Sequence, residues 1–291
     1  ADQTARIMVE FEKDLIENPT DLVIVVGDVT STMACTIVAK KLNTKVAHVE
    51  GGIRSFDMSM PEEINRIVTD SLADYFFTTS KVANENLMRT GVNQSQIFFV
   101  GNTMIDSLQF SLDKLKQPDV WKSLGLQKKE YFVLTLHRPS NVDDQDKLRQ
   151  MLQAIETGTR GTLVIFPVHP RTRKNFELIS SKFESIKAID PLSYFQFVYL
   201  LQHAKGVITD SGGIQEETTV LQIPCITLRS NTERPETVAM GTNVLIGDDY
   251  EKLQQSLANI NSGTWKNGQI PDLWDGHAAE RIVSTLPKLI S

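Results

Sequence analysis

Cysteine is scarce. Cys35 and Cys225 are the only two in 291 residues, far apart and each inside an apolar run. They read as buried thiols, which argues against a disulfide framework and against a thiolate metal site. There is no Cys/His cluster with metal-ligand spacing and no P-loop. No apolar run is long enough to span a bilayer. There is no internal repeat, no low-complexity segment and no visible signal peptide, although the first residues already read as mid-domain sequence. Positive charge is in deficit, with 30 Lys and Arg against 36 Asp and Glu, a net charge of -6. That balance argues against a general nucleic-acid binder. An anionic ligand would need positive charge placed locally against this background. The remainder, 41% hydrophobic and 23% charged, describes a soluble globular protein. Its length predicts two domains, and the cytosol is the expected compartment.

What is present alternates between helix and strand patterns. Ile7, Phe11 and Leu15 recur every fourth residue, so 3–17 reads as an amphipathic helix. Leu22 to Val26 is a continuous apolar run, as expected for a strand covered on both faces, and ends in Gly27-Asp28. A helix over 31–42 follows, then a strand over 45–49 ending in Glu50-Gly51-Gly52, then a helix from Pro61 to about Leu72. Strands near 75–78 and 96–100 complete the first half. Lys116 to Lys129, with Pro118 and Gly125, reads as a linker. The alternation resumes with Tyr131 to Leu136, ending in His137-Arg138-Pro139, and continues with strand candidates at 162–167, 186–189, 205–208, 223–228 and 243–246. The segment 277–291 reads as a closing helix. The pattern implies an α/β protein with two parallel, helix-covered sheets. Four strand candidates precede the linker and six follow it, and the chain opens on a helix. The first domain is therefore expected to lack its front part.

The stretch from Gly206 to Leu221 predicts a strand, a tight glycine-bearing turn and a helix. Such a turn leaves backbone N–H groups at the helix start, and with the helix dipole these favour a phosphate. Gly212 and Gly213 allow close approach of the backbone at Ser211–Gly213, and Glu217 lies where a carboxylate could accept from ribose hydroxyls. An ordinary turn with Asp210 or Ser211 as N-cap fits the same residues.

In open parallel sheets ligands bind beyond the carboxyl ends of the strands. Asp28, Glu50, His137 and Ser211 all stand there, which describes an interdomain cleft with paired carboxylates suited to proton transfer. Each acid also has a structural reading. Asp28 can cap the following helix, Glu50 can pair with Arg54, and Glu62 fits a capping box with Ser59. Arg138 beside the turn can grip a diphosphate in a bidentate manner, and His169 is a weaker candidate. Phe197 lies in a very apolar helix, as core or as a base-stacking ring. Arg234, in Thr232-Glu233-Arg234-Pro235-Glu236, is either a solvated loop residue or a ligand clamp.

The ordered set Gly27-Asp28, His48-Val49-Glu50-Gly51-Gly52-Ile53-Arg54, Pro61-Glu62-Glu63-Ile64-Asn65-Arg66, Gly101-Asn102-Thr103, His137-Arg138, Pro167-Val168-His169-Pro170, Asp210 to Glu217 and Thr232 to Glu236 resembles the non-hydrolysing UDP-N-acetylglucosamine 2-epimerases. The resemblance spans essentially the whole chain. It implies the glycosyltransferase-B arrangement of two Rossmann-like domains, here 1–114 and 115–274, with the closing helix 275–291 crossing back to the first. It implies reversible epimerisation at C2 of UDP-N-acetylglucosamine through elimination and re-addition of UDP, in surface polysaccharide synthesis, with no nicotinamide or other cofactor and no metal. Asp28, Glu50, Glu62 and His137 match the family's catalytic residues. Arg138, Phe197, Ser211, Gly212, Gly213, Glu217 and Arg234 fall in or beside its UDP-binding elements. A homodimer formed through the first domain is implied, with no nucleic-acid or membrane partner. The family's opening strand and its Gly-Thr-Arg-Pro-Glu-type loop have no match here, and Leu192 stands where some members carry glutamine near the uracil. The rivals are a hydrolysing relative that releases UDP and N-acetylmannosamine, a glycosyltransferase of the same fold, and an inactive nucleotide-sugar-binding module.

Overall fold

Short runs of β-branched and aromatic residues form ten parallel strands in two sheets in the computed structural model, which describes residues 1–290. Contacts divide the chain into two units. One comprises Ala1–Asp106 with the residues from Asp272 onward, and the other comprises Ser107–Pro271.

The first unit holds β1 (Leu22–Val26), β2 (Lys45–Val49), β3 (Tyr75–Thr78) and β4 (Ile97–Phe99), paired in that order. Helices Asp2–Glu17, Thr30–Lys41, Pro61–Leu72 and Lys81–Arg89 alternate with the strands. Ala47, Val49, Phe77 and Val100 pack with Ile282 and Leu289, so the C-terminal segment completes this unit's core. The single closing helix expected over 277–291 is divided into Ala278–Thr285 and Pro287–Ile290. Pro287 has no N–H to continue the hydrogen-bond ladder. The return of the chain is tightly fitted. At Gly101, with φ +93°, an added β-carbon would stand 2.0 Å from the Leu273 carbonyl oxygen. Trp274 is buried and its Nε1 donates to the Thr79 carbonyl at 2.9 Å. β1 departs from the expected double cover. Val25 is buried on one face, whereas Ile24 and Val26 on the opposite face are exposed.

The second unit holds β5 (Tyr131–Thr135), β6 (Leu163–Pro167), β7 (Ile186–Ile189), β8 (Gly206–Thr209), β9 (Cys225–Thr227) and β10 (Asn243–Leu245), in the order β10-β9-β8-β5-β6-β7. β5 and β8 lie together at the centre, which places the loops after both strands at one edge. Both faces are covered. Phe132, Leu134, Phe166 and Ile208 lie in one cluster, and Tyr131, Val133, Ile165 and Val207 in the other. This alternation is the period-two signature of a strand buried on both sides. The expected linker contains a short helix, Asp119–Ser123, whose Trp121 packs edge-on against Tyr131.

Candidate active site

In the first unit, three elements converge beyond the ends of β1 and β2. Asp28 does not cap the following helix, which starts after Val29 with no side-chain cap. Its Oδ2 instead accepts from Arg66 Nε at 3.0 Å and Nη2 at 2.5 Å, and its carbonyl accepts from Asn65 Nδ2 at 2.8 Å. Arg66 Nη1 also donates to Glu63 Oε2 at 2.7 Å. Glu63 accepts in addition from the backbone N–H groups of Ser55 and Phe56. Burial alone would raise the Glu63 pKa, but these donors and Arg66 hold it below the usual carboxylate range.

The capping box expected of Ser59 and Glu62 does not form. Met60 is the N-cap without a side-chain bond, Ser59 Oγ turns to Asp57 Oδ1, and Glu62 is exposed in the first turn. Glu62 stands four residues before Arg66 and shares its helix face. The Glu50–Arg54 pair is likewise replaced, because Arg54 Nη1 donates to Asp70 Oδ2 at 2.6 Å. Glu50 itself lies in left-handed backbone, φ +71°, with its N–H donating to the Phe77 carbonyl. Thr103 Oγ1 donates to its Oε1 at 3.5 Å. A non-glycine residue held there carries strain of about 1–3 kcal/mol, a cost that concentrates at functional positions.

Beneath these loops His48 is fully buried. Its Nδ1 lies 2.6 Å from Asp70 Oδ1 and its Nε2 lies 2.8 Å from the Gly27 carbonyl oxygen. Both partners are acceptors, so both ring nitrogens donate and the ring is an imidazolium. Burial alone would lower the His48 pKa, but the hydrogen bond and charge of Asp70, the Gly27 carbonyl and the charge of Glu50 lift it above its ordinary value. Asp70 also accepts from Gly52 N. One buried cluster therefore fixes the residue before Asp28 and the loop after Glu50. The sequence reading missed Arg66, His48 and Asp70 as contributors. Each finds its partner across a strand–helix unit, Arg66 at Asp28 and His48 and Arg54 at Asp70, which spacing along the chain does not show.

In the second unit, the organising group is Asp210. It is buried at the end of β8 and accepts from His137 N, Arg138 N and Asn141 Nδ2. His137 Nδ1 lies 2.8 Å from Asp210 Oδ1. Burial alone would raise the Asp210 pKa, but the His137 ring and the N–H donors keep it low. Asp210 thus fixes the imidazole orientation and leaves Nε2 on the partly exposed side of the ring. Ser211 is the N-cap of helix Gly212–Val220 and makes no side-chain cap bond. The start of that helix is anchored by Gln215 Nε2, which donates to the Ser211 carbonyl, while Gln215 Oε1 accepts from Thr232 and Asn243.

Guanidiniums surround this turn. Arg138 Nε donates to the Asp210 carbonyl at 3.1 Å. Arg234 Nε bonds Glu216 Oε1. Arg229, two residues past β9, pairs with Glu233 at 2.7 Å and brings its Nη1 within 4.0 Å of an ideal Gly212 β-carbon. Burial would raise the Glu233 pKa, but Arg229 carries it down to about 2. Arg229 was missed, although its place after a strand end was a usable signal. Phe197 packs on the core and also lines a cleft of about 210 Å³ with His137, His169, Pro191 and Leu192. His169 itself serves as an N-cap, accepting from Arg171 N. Glu217 is buried and accepts from the Tyr194 hydroxyl at 2.8 Å. The structure therefore gathers His137, Arg138, Ser211, Gly212 and Gly213 around Asp210, and links Arg234 and Glu217 to the same helix.

A family model described as UDP-N-acetylglucosamine 2-epimerase matches residues 1–287. The UDP-N-acetylglucosamine 2-epimerase of Methanocaldococcus jannaschii is 40% identical over 98% of this chain and 80% of its own length. The UDP-2,3-diacetamido-2,3-dideoxy-D-glucuronate 2-epimerase of Pseudomonas aeruginosa is 38% identical, over 98% of this chain and 80% of its own length. Among solved structures, the M. jannaschii UDP-GlcNAc 2-epimerase in complex with UDP-GlcNAc and UDP superposes with a TM-score of 0.82 at 39% identity, covering 97% of this chain and 80% of that one. The Neisseria meningitidis enzyme bound to UDP-GlcNAc gives a TM-score of 0.86 at 29% identity, covering 98% and 81%. The chain belongs to the UDP-N-acetylglucosamine 2-epimerase family.

Proposed function

We propose that the protein is a non-hydrolysing epimerase that interconverts UDP-N-acetylglucosamine and UDP-N-acetylmannosamine, serving surface polysaccharide synthesis in the cytosol. The second unit grips UDP. Gly212 and Gly213 present the helix start to the diphosphate, Arg138 and Arg234 supply positive charge, Phe197 walls the base, and Glu217 accepts from the ribose. The first unit supplies Asp28, Glu50 and Glu62, and His137 joins them in the chemistry.

The C2 proton is weakly acidic, so its removal must be assisted by cleavage of the anomeric C–O bond. A base takes the C2 proton, the electron pair forms the C1–C2 double bond, and the C1–O pair leaves on the β-phosphate of UDP. The 2-acetamidoglucal then takes a proton at C2 on the opposite face while UDP oxygen re-adds at C1. Atoms balance without nicotinamide or metal. The route needs several acid–base groups and firm diphosphate stabilisation.

The observation that carries this reading is the carboxylate group beyond β1 and β2, with Asp28 clamped by Arg66 and Glu50 held in strained backbone. A glycosyltransferase has no need of these acids together. The Pro61–Arg66 segment favours the non-hydrolysing branch by its resemblance. Incubation with UDP-N-acetylglucosamine and chromatography of the products tests the reading. UDP-N-acetylmannosamine supports it, free UDP with N-acetylmannosamine supports the hydrolysing alternative, and binding without turnover supports an inactive module. The P. aeruginosa relative makes UDP-2,3-diacetamido-2,3-dideoxy-D-glucuronate the second substrate to assay. We propose a homodimer formed through the first unit; a monomer mass by light scattering at micromolar concentration would contradict it.

A further inference from the structure

Resting on the reading of Glu217 as the ribose acceptor, we infer that Tyr194 is a positioning residue for nucleotide recognition. Its hydroxyl holds one oxygen of the Glu217 carboxylate and leaves the other to receive the ribose hydroxyls. Tyr194 opens helix Tyr194–His203, and its hydroxyl donates to Glu217 Oε1 at 2.8 Å. The first turn that carries it is fixed, because Gln196 Oε1 accepts from both Ser193 N and Ser193 Oγ. Phe197 follows three residues later and shares the helix face. One helix start thus presents both the ring that lines the cleft and the hydroxyl that holds the carboxylate.

A carboxylate on a side chain has a broad, two-fold terminal torsion and does not choose its own orientation. Glu217 is only 4% exposed, so water contributes little to fixing it. The Tyr194 hydrogen bond selects one orientation. Tyrosine serves here because it can only donate to an acceptor-only partner, whereas a lysine would neutralise the charge that the ribose hydroxyls need. Burial raises the Glu217 pKa, and the Tyr194 bond opposes that rise. Burial and the Glu217 charge push the Tyr194 phenol up, so it stays a protonated donor. Tyr194 is the titratable group that faces Glu217; its sequence neighbour Glu216 is turned to Arg234. The chemistry recognised is a ribose with both hydroxyls, so the ligand class is a uridine ribonucleotide rather than its 2′-deoxy counterpart.

The test is calorimetric titration of the protein, Tyr194→Phe and Glu217→Gln with UDP and 2′-deoxy-UDP, across pH 5 to 8. The wild-type protein is expected to prefer UDP by roughly tenfold or more, the loss expected of a hydrogen bond to a charged group. Tyr194 is 41% exposed and Phe keeps its ring, so Tyr194→Phe should fold. In that variant UDP should bind at least threefold more weakly, the preference for the ribonucleotide should shrink, and the acid limb of UDP affinity should move to higher pH. Phosphate titration is common to all three proteins and cancels in the comparison. Absence of a ribose preference in the wild type would overturn the Glu217 reading itself. A preference that persists undiminished in Tyr194→Phe, with an unmoved acid limb or with tighter UDP binding, would overturn the role of Tyr194 and leave that of Glu217 standing.

Discussion

Gly212 can be tested with little interference from the fold. A β-carbon there would meet nothing nearer than Arg229 Nη1, at 4.0 Å, and the backbone is outside the left-handed region that demands glycine. The protein's own packing therefore gives no reason for glycine at this position. Gly212→Val should change stability by no more than about 1 kcal/mol, the scale of helix-propensity differences. A bound diphosphate changes the situation. Its oxygens must come within about 2.9 Å of the backbone N–H groups at the helix start, and the two methyl groups of valine would stand in that path. Loss of one hydrogen bond to a charged group costs about 1.5–3 kcal/mol, which is roughly 10- to 100-fold in Kd. Isothermal calorimetry with UDP reads this directly, and uridine, which lacks phosphates, serves as the control with unchanged affinity. A folded Gly212→Val protein that binds UDP as tightly as the wild type would refute the placement of the diphosphate at this helix start.

Two further outcomes are expected. Because Glu62 is exposed and caps nothing, Glu62→Gln should cost at most about 1 kcal/mol of stability through the helix dipole. It should leave UDP affinity unchanged and lower kcat for epimerisation by roughly 10²–10⁴-fold; near wild-type turnover would return Glu62 to a surface role. Asp210 has a folded pKa below its unfolded value, so its stabilisation is present above the unfolded value of about 3.9 and is lost as pH falls through the folded value. The Tm deficit of Asp210→Asn measured by calorimetry should therefore be largest near neutral pH and shrink below about pH 4; a deficit independent of pH would contradict an ionised Asp210 carboxylate stabilised by its donors.

Periodicity and turn chemistry made most of the fold legible. The runs at 22–26, 45–49, 75–78 and 186–189 become strands with those bounds, and the others shift by a residue or two at their ends. β1 was misjudged because its apolar run reads the same whether one face or both are covered, and only Val25 is buried while Ile24 and Val26 on the opposite face are exposed. The sites were legible where a residue's type carries its chemistry. Asp28, Glu50, His137 and the Ser211–Gly213 turn all fall at strand ends, as read. Partnerships were less legible. Asp28 was matched to a helix N-terminus two residues away, yet its partner Arg66 lies 38 residues on. Glu50 was matched to Arg54, which the structure gives to Asp70, 16 residues on. Local spacing favours caps and near pairs, whereas a parallel sheet brings together loops that are separated by a whole strand–helix unit. Asp210 read as a cap for the same reason. Its backbone donors come from His137 and Arg138 after β5, a neighbour that only the sheet order reveals.

Proton NMR of the purified protein with UDP-N-acetylglucosamine in deuterated water follows the C2 proton itself. Elimination and re-addition require that the C2 proton leave and that a solvent-derived one return. The expected product is UDP-N-acetylmannosamine carrying deuterium at C2, with the same label appearing in the UDP-N-acetylglucosamine pool as the reaction reverses. Release of UDP and free sugar, or an epimer that retains its original C2 proton, would contradict it.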